Sequence, residues 1–239
     1  MPERNRVFEV ERRFLGHIPI PKGFKLIEQY TLIKDVYYSI DPQIRIRYMQ
    51  MAKPDKTEKN KMTLKRPRSA EIMEYETPTG DFDTAQEIFS AGMGNPVTYV
   101  SGTRDFYTNG EINLFSDVIE SVHKIGDKWT EVEIIVKQTD GIKVAEENIT
   151  KLLAAWNVKP EVVEKQTYVE MKLKNLVLDA IQRAEPELLY TADTLARYFK
   201  CLEERIVSIC TILENEKKIS SQLGKYYPIP VKDPQMLIQ

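Results

Sequence analysis

The stretch "RVFEVERRFL", residues 6–15, alternates: Phe8, Val10 and Phe14 stand on one parity, and Glu9, Glu11 and Arg13 on the other. Successive side chains of a β-strand point to opposite faces of the sheet. The spacing therefore predicts a strand with one apolar face and one face carrying two carboxylates and a guanidinium. The same sorting recurs along the chain. In "IRIRYM" (44–49), Arg45 and Arg47 oppose Ile44, Ile46 and Tyr48. In "KMTLKR" (61–66), Lys61, Thr63 and Lys65 oppose Met62 and Leu64. "EYE" (74–76) puts Glu74 and Glu76 on one side, and "TEVEIIV" (130–136) sets Glu131 and Glu133 against Val132, Ile134 and Val136. For any single strand the plain reading is the solvated face of an antiparallel sheet. Here, however, like charges repeat at i and i+2, acidic on some strands and basic on others. Neighbouring like charges repel, so each set calls for a counterion. Carboxylate pairs suit divalent cations, and paired Arg and Lys suit phosphate. A barrel closed around these faces would hold a metal-bound polyphosphate.

Period-2 runs separated by turn signals predict strands at 6–15, 26–33, 43–50, 61–66, 71–77, 97–107, 111–120 and 130–137. Among them "DFDTAQEIFSAG" (81–92) reads as a helix, with Asp81 or Asp83 as N-cap and Gly92 as its stop. "MAKPDKTEKNK" (51–61) has Pro and mixed charge without periodicity and reads as an exposed hairpin loop. After residue 142 the period changes to that of helices. Helices are expected at 144–156 and roughly 161–184, the second ended by Pro186. In "TLARYFKCLEERIVSICTIL" (194–213), Leu195, Tyr198, Phe199, Leu202, Ile206, Ile209 and Leu213 recur at spacings of three and four, the pattern of one long amphipathic helix. The tail "YYPIPVKDP" (226–234), with three prolines, is expected to be irregular.

At 239 residues the chain is long enough to bury a substantial core. Its 34 basic and 36 acidic residues balance, which removes any global attraction to nucleic acid or to an acidic membrane. Cys201 and Cys210 show no paired spacing, so neither a disulfide framework nor a cysteine metal site is expected, and a reducing compartment is the default. The charged N-terminus and the lack of an apolar run near ~20 residues predict a cytoplasmic protein without a membrane span. His17 and His123 lack a nucleophile setting, and Gly92 and Gly94 lack the Lys and Ser/Thr of a phosphate loop. Trp129 and Trp156 read as core aromatics.

In order along the chain, "FEVERRFL", "IEQYTL", "IRIR", "MTLKRP", "EYETP" with its following helix, "GTRDFY", "EINLF", "EVEI" and "VEKQTYVEM" resemble the motifs of the CYTH superfamily, the triphosphate tunnel metalloenzymes. The resemblance covers about residues 6–175, and the ordered set is far more specific than any one motif. It implies an eight-stranded antiparallel β-barrel tunnel with flanking helices over 1–175; with the helical period of the remaining chain, the expected fold is α+β, with a helical C-terminal extension over 176–239 packed on or beside the barrel. It also implies Mg²⁺ or Mn²⁺ held by Glu9, Glu11, Glu131 and Glu133, with Glu74 and Glu76 binding a second metal or orienting water. Phosphate oxygens would be held by Arg45, Arg47, Lys65 and Arg104, with Lys61 or Arg68 reaching in.

Three positions depart from the family pattern: Arg13 replaces a lysine, Gly102 stands at a basic position, and Asn113 replaces an acid. Three functions follow as expectations. The first is metal-dependent hydrolysis of inorganic tripolyphosphate, a nucleoside triphosphate or an RNA 5′-triphosphate, with Glu9, Glu11, Arg13, Glu74 and Glu76 as the catalytic set. The second is nucleotidyl cyclisation in the same tunnel. The third is non-catalytic binding of polyphosphate or nucleotide. The C-terminal helices read as a lid or packing layer, with a homodimer or, in the third case, a protein partner as the alternative, and no sequence-specific nucleic-acid recognition is expected.

Overall fold

The computed structural model describes residues 8–52, 57–68, 71–120, 127–138, 140–164, 166–184 and 190–229. Eight strands build the first part: β1 (Phe8–Leu15), β2 (Lys25–Ile40), β3 (Gln43–Met51), β4 (Glu58–Arg68), β5 (Glu71–Pro78), β6 (Thr98–Thr108), β7 (Asn113–Ile119) and β8 (Asp127–Val136). Their order is β5-β4-β3-β2-β6-β7-β8-β1, all neighbours antiparallel, and the sheet curls until β1 meets β5 at Phe8 opposite Met73. A two-residue strand, β9 (Val163–Glu164), pairs with β1 beside Arg13 and Phe14.

The alternation decides which face turns inward. Val10, Phe14, Leu114 and Val132 point outward and are buried against Ala145, Ile149 and Leu153 of helix α2 (Asp140–Ala155). Val36, Tyr38 and Ile46 are likewise covered by Phe82 and Ala85 of helix α1 (Phe82–Met93). With its apolar faces under helices, the barrel turns its charged faces inward. An eight-stranded barrel has room inside for side chains or one small ligand.

Several boundaries differ from expectation. β2 continues to Ile40 because Val36, Tyr38 and Ile40 are buried on one face and Tyr37 on the other, so no polar–apolar alternation marks that half. α1 starts after Asp81, which accepts from the Thr84 amide, but runs past Gly92 to Gly94, whose φ of 77° makes it the cap. The charged run 51–61 is part strand, since β4 begins at Glu58; residues 53–56 lie outside the described residues. Residues 161–184 are not one helix. A 3₁₀ turn (Pro160–Val162) leads into β9, where the backbone is needed at the edge of β1. Helix α3 (Tyr168–Arg183) begins only where Thr167 and Glu170 bond each other's amides.

The chain divides into two compact units, Met1–Glu170 and Met171–Gln239, the division falling within α3. In the second unit, helices α4 (Ala192–Phe199) and α5 (Glu203–Asn215) replace the single helix expected over 194–213. Lys200 adopts a left-handed conformation (φ 48°, ψ 56°), and the apolar set splits. Leu195, Ala196 and Phe199 are buried on α4, and Ile206, Ile209, Cys210 and Leu213 on α5, while Tyr198 and Leu202 face solvent. Tyr226 and Tyr227 are not irregular: β10 (Ile219–Gln222) and β11 (Lys225–Pro228) form a hairpin. The rest of that tail, from residue 230, lies outside the described residues, as do Pro186 and His123. Among the described residues no helix is long and apolar enough to cross a membrane.

Candidate functional site

The inward faces of β1 to β8 enclose a cavity of about 700 Å³, closed on one side by Thr167 and Tyr168 at the start of α3. Strand parity delivers Glu9, Glu11 and Arg13 from β1, Arg45 and Arg47 from β3, Lys61 and Lys65 from β4, Glu76 from β5, Arg104 from β6, and Glu131 and Glu133 from β8. These residues line a single space. Glu74 and Arg68 stand on β5 and β4, with Glu74 opposite Lys65 in register, but their side chains lie outside the described residues.

The carboxylates fall into two groups that differ in their neighbours. Glu9, Glu11 and Glu133 each offer an oxygen within 4.8 Å of the others. Glu11 is 4% exposed, and its Oε1 has no hydrogen-bond partner among the described residues. Burial opposes ionisation of Glu11, but the guanidinium of Arg13 and then the ammonium of Lys65 overcome it and hold the carboxyl at about 2. Burial lifts Glu133 to about 7; the bond from Asn113 (2.8 Å) works against this, while Glu131 and Glu11 add to it. The trio is thus rich in negative charge, and Lys65, 2.8 Å from Glu9 and 3.9 Å from Glu11, is the ammonium nearest to it. Three convergent oxygen ligands with a buried oxygen left over suit a hard divalent cation such as Mg²⁺ or Mn²⁺.

Glu131 belongs to the other group. Expected among the metal ligands, it instead faces Arg13 (Nε, 2.6 Å) and Arg104 (3.4 Å). Register is the reason: Glu133 stands opposite Glu11, whereas Glu131 stands opposite Arg13. Arg13 also meets Glu11 at 2.8 Å, donates to the Gln166 carbonyl at 3.1 Å and lies over the Tyr168 ring. Arg104, expected to hold phosphate, donates to both oxygens of Asp117 (2.7 and 2.6 Å) and stacks over Phe115. Tyr168 donates to the same aspartate at 2.7 Å, and Trp129 packs edge-on against Tyr168. Arg13, Arg104, Asp117 and Tyr168 thus form a buried ionic and aromatic network beside the carboxylate trio.

Arg45 and Arg47 share one acid, Asp35 of β2: Arg47 donates to both of its oxygens (2.5 and 2.7 Å) and Arg45 to one (3.2 Å). Burial opposes the charge of Asp35, but Arg47 and then Arg45 hold its carboxyl far below the ordinary range. Two guanidinium groups thus converge on one carboxylate at the cavity wall. Lys61 pairs with Glu76 at 2.6 Å near the mouth, where Glu76 is exposed. Glu28 bonds Lys59 and the Tyr30 hydroxyl at the same end.

Gly102 carries no cation for a physical reason. A Cβ there would lie 2.2 Å from the Val118 carbonyl oxygen on β7, so the backbone has closed over the position. His17 is exposed and pairs with Ser116 at 3.2 Å, away from the cavity. The sequence does not single out Asp35, Asp117 and Tyr37, because none belongs to a like-charged pair at i and i+2. The parity of "IKDVYY" and "LFSDVI" does place both aspartates on the inward face.

No protein-family model matches the sequence, and no curated protein matches it. Solved structures do. The PH1819 protein of Pyrococcus horikoshii superposes with a TM-score of 0.59 at 24% identity, covering 70% of this chain and 99% of its own. The PH1012 protein of the same organism gives 0.57 at 20% identity, over 68% and 98%. A candidate adenylate cyclase from Vibrio parahaemolyticus gives 0.55 at 15% identity, over 69% and 97%. The chain therefore has the fold of these proteins, each matched over nearly its whole length.

Proposed function

We propose that this chain is a triphosphate tunnel protein of the CYTH type that hydrolyses a triphosphate inside the barrel with Mg²⁺ or Mn²⁺. The observation that carries this reading is the meeting in one cavity of the Glu9–Glu11–Glu133 carboxylates, with Lys65 beside them, and the Arg45 and Arg47 guanidinium groups of β3. The three carboxylates would hold the cation, which when bound supplies charge neutralisation and lowers the pKa of a coordinated water.

The chain's own residues do the rest. Lys65 and the guanidinium groups of Arg45 and Arg47 donate to phosphate oxygens, the latter two aimed by Asp35. Arg13 fixes Glu11 and Glu131, and is a positioning residue. Water attacks the terminal phosphorus, the bridging P–O bond breaks, and the remaining diphosphate unit departs with the electron pair. Such a transfer needs positioning and electrostatics rather than a covalent nucleophile. Arg104, bound to Asp117, supports the floor of the site rather than the phosphates.

The test is phosphate release from tripolyphosphate, ATP and 5′-triphosphorylated RNA, each with Mg²⁺ and Mn²⁺. The doubly substituted Glu9→Gln/Glu11→Gln protein is the control, and ATP products are checked for cyclic nucleotide. Metal-dependent release that disappears in the control is expected. Cyclic nucleotide as the main product would replace hydrolysis with cyclisation. Binding without turnover would make the chain a polyphosphate-binding protein.

A further inference from the structure

Apart from Arg104, which is bound to Asp117 and lies over Phe115, the tunnel wall formed by β6 and β7 is aromatic rather than charged. Phe106 and Phe115, opposite each other in register, stack with centroids 4.9 Å apart and planes 19° from parallel. Both are half-buried and both line the cavity. On the same wall Phe115 is two residues from Asn113, which bonds Glu133 of the carboxylate trio. On the β2 side Phe106 stands opposite Glu28, next to the tunnel-lining Tyr30. The platform thus lies immediately beside the acidic trio and across the barrel from the cationic strands β3 and β4. Bare tripolyphosphate is charged along its whole length and gains nothing from two apolar rings. A cavity of about 700 Å³ also falls within the range that holds drug-sized organic molecules.

Resting on the triphosphate reading above, we propose that the Phe106–Phe115 pair is a specificity platform for a flat aromatic group carried by the triphosphate, so that the substrate class is a nucleoside triphosphate rather than inorganic tripolyphosphate. Phe115 lies between Phe106 and Arg104, so a ligand ring would stack by its π-face on the side of Phe106 turned away from Phe115. Such stacking tolerates different bases because every base has a π-face. The polar groups beside the platform, Asn113, Glu28 and the Tyr30 hydroxyl, already bond protein partners, so the wall offers stacking before base-edge recognition.

The experiment is calorimetric binding of ATP, CTP and tripolyphosphate with Mn²⁺ to the full chain, comparing the wild type with Phe106→Ala and Phe106→Leu. The leucine variant keeps apolar bulk without a flat face, and both variants are checked for an unchanged thermal midpoint. The wild type is expected to bind ATP and CTP more tightly than tripolyphosphate. Both variants should weaken the two nucleotides about tenfold or more while leaving tripolyphosphate within about twofold. Equal losses for all three ligands, no loss for any, or a wild-type preference for tripolyphosphate would overturn the platform. In each of those cases tripolyphosphate binding that is absent from Glu9→Gln/Glu11→Gln would leave the triphosphate reading standing. Absence of binding by all three ligands to the wild type would overturn both.

Discussion

Asp35 decides the state of the basic wall. Buried and bonded to two arginines, it keeps Arg45 and Arg47 in place at the cavity wall. Removing one member of a buried ionic cluster leaves the others uncompensated, at a cost of about 3–5 kcal/mol. Asp35→Asn is therefore expected to lower the urea midpoint sharply, and tripolyphosphate should restore part of the loss by taking the place of the missing anion. A loss unaffected by tripolyphosphate would separate Asp35 from the ligand site. The titrating carboxyls predict a pH optimum. Glu11 and Asp35 have lowered values in the folded state, so their stabilisation is present above their unfolded values and disappears as pH falls, for Glu11 from about 4.5 toward 2 and for Asp35 in more acid solution. Glu133 is raised, so its contribution is complete below about 4.5 and lost as pH rises through about 7. In metal-free buffer, stability to urea should peak at about pH 5–6 and fall on both sides. A midpoint that rises steadily to about pH 8 would contradict the placement of Glu133 against the other carboxylates. The sequence displayed the charged parity of β1, β3, β4 and β8, because period 2 is local. It did not separate Glu133 from Glu131, because that depends on whether Glu11 or Arg13 stands across the ladder, which no single strand encodes.

Elements were legible where one face was greasy and the other charged, and illegible where the tertiary structure interrupted a continuous pattern. Over 194–213 the three-and-four spacing runs unbroken, yet Lys200 takes up a left-handed conformation, and Tyr198 and Leu202 fall outside the core. Lys200→Gly distinguishes the two arrangements. At a left-handed position glycine removes a strain of about 1–2 kcal/mol, partly offset by its own entropy, so stability should rise by up to about 1 kcal/mol. Inside one continuous helix the same change would cost about 1 kcal/mol, and a lowered midpoint would sink the break. β6 shows a converse case. The pattern of basic strands invites a cation at Gly102, but the closeness of the Val118 carbonyl on β7 leaves no space for a side chain. Gly102→Ala is accordingly expected to lose about 1–3 kcal/mol of stability through forced separation of β6 and β7. A neutral alanine at that position would show the approach to be looser than 2.2 Å.

At the scale of the barrel, hydrophobic and electrostatic roles are inverted relative to an ordinary core. The helices α1 and α2 supply apolar burial on the outside, while the inside holds ion networks with carboxylates gathered at one point and guanidinium groups at another. Like charges gathered at one point repel, so ligands of opposite charge should stabilise the fold as well as bind to it. Tryptophan fluorescence follows this unit alone, because both tryptophans, Trp129 and Trp156, lie in Met1–Glu170. A cation at a hundred times its dissociation constant adds about 2.7 kcal/mol, a shift of several degrees in the fluorescence-detected midpoint of a domain of this size. Mn²⁺ should therefore raise the wild-type midpoint by several degrees. Glu133→Gln removes the carboxylate whose charge burial opposes, so at about pH 8 the metal-free variant should melt at or above the wild-type temperature. Its Mn²⁺ shift should nevertheless be largely lost. A merely structural Glu133 would do the opposite, lowering the metal-free midpoint and leaving the shift intact. That outcome would remove the Glu9–Glu11–Glu133 group as a cation site while sparing the barrel that positions it.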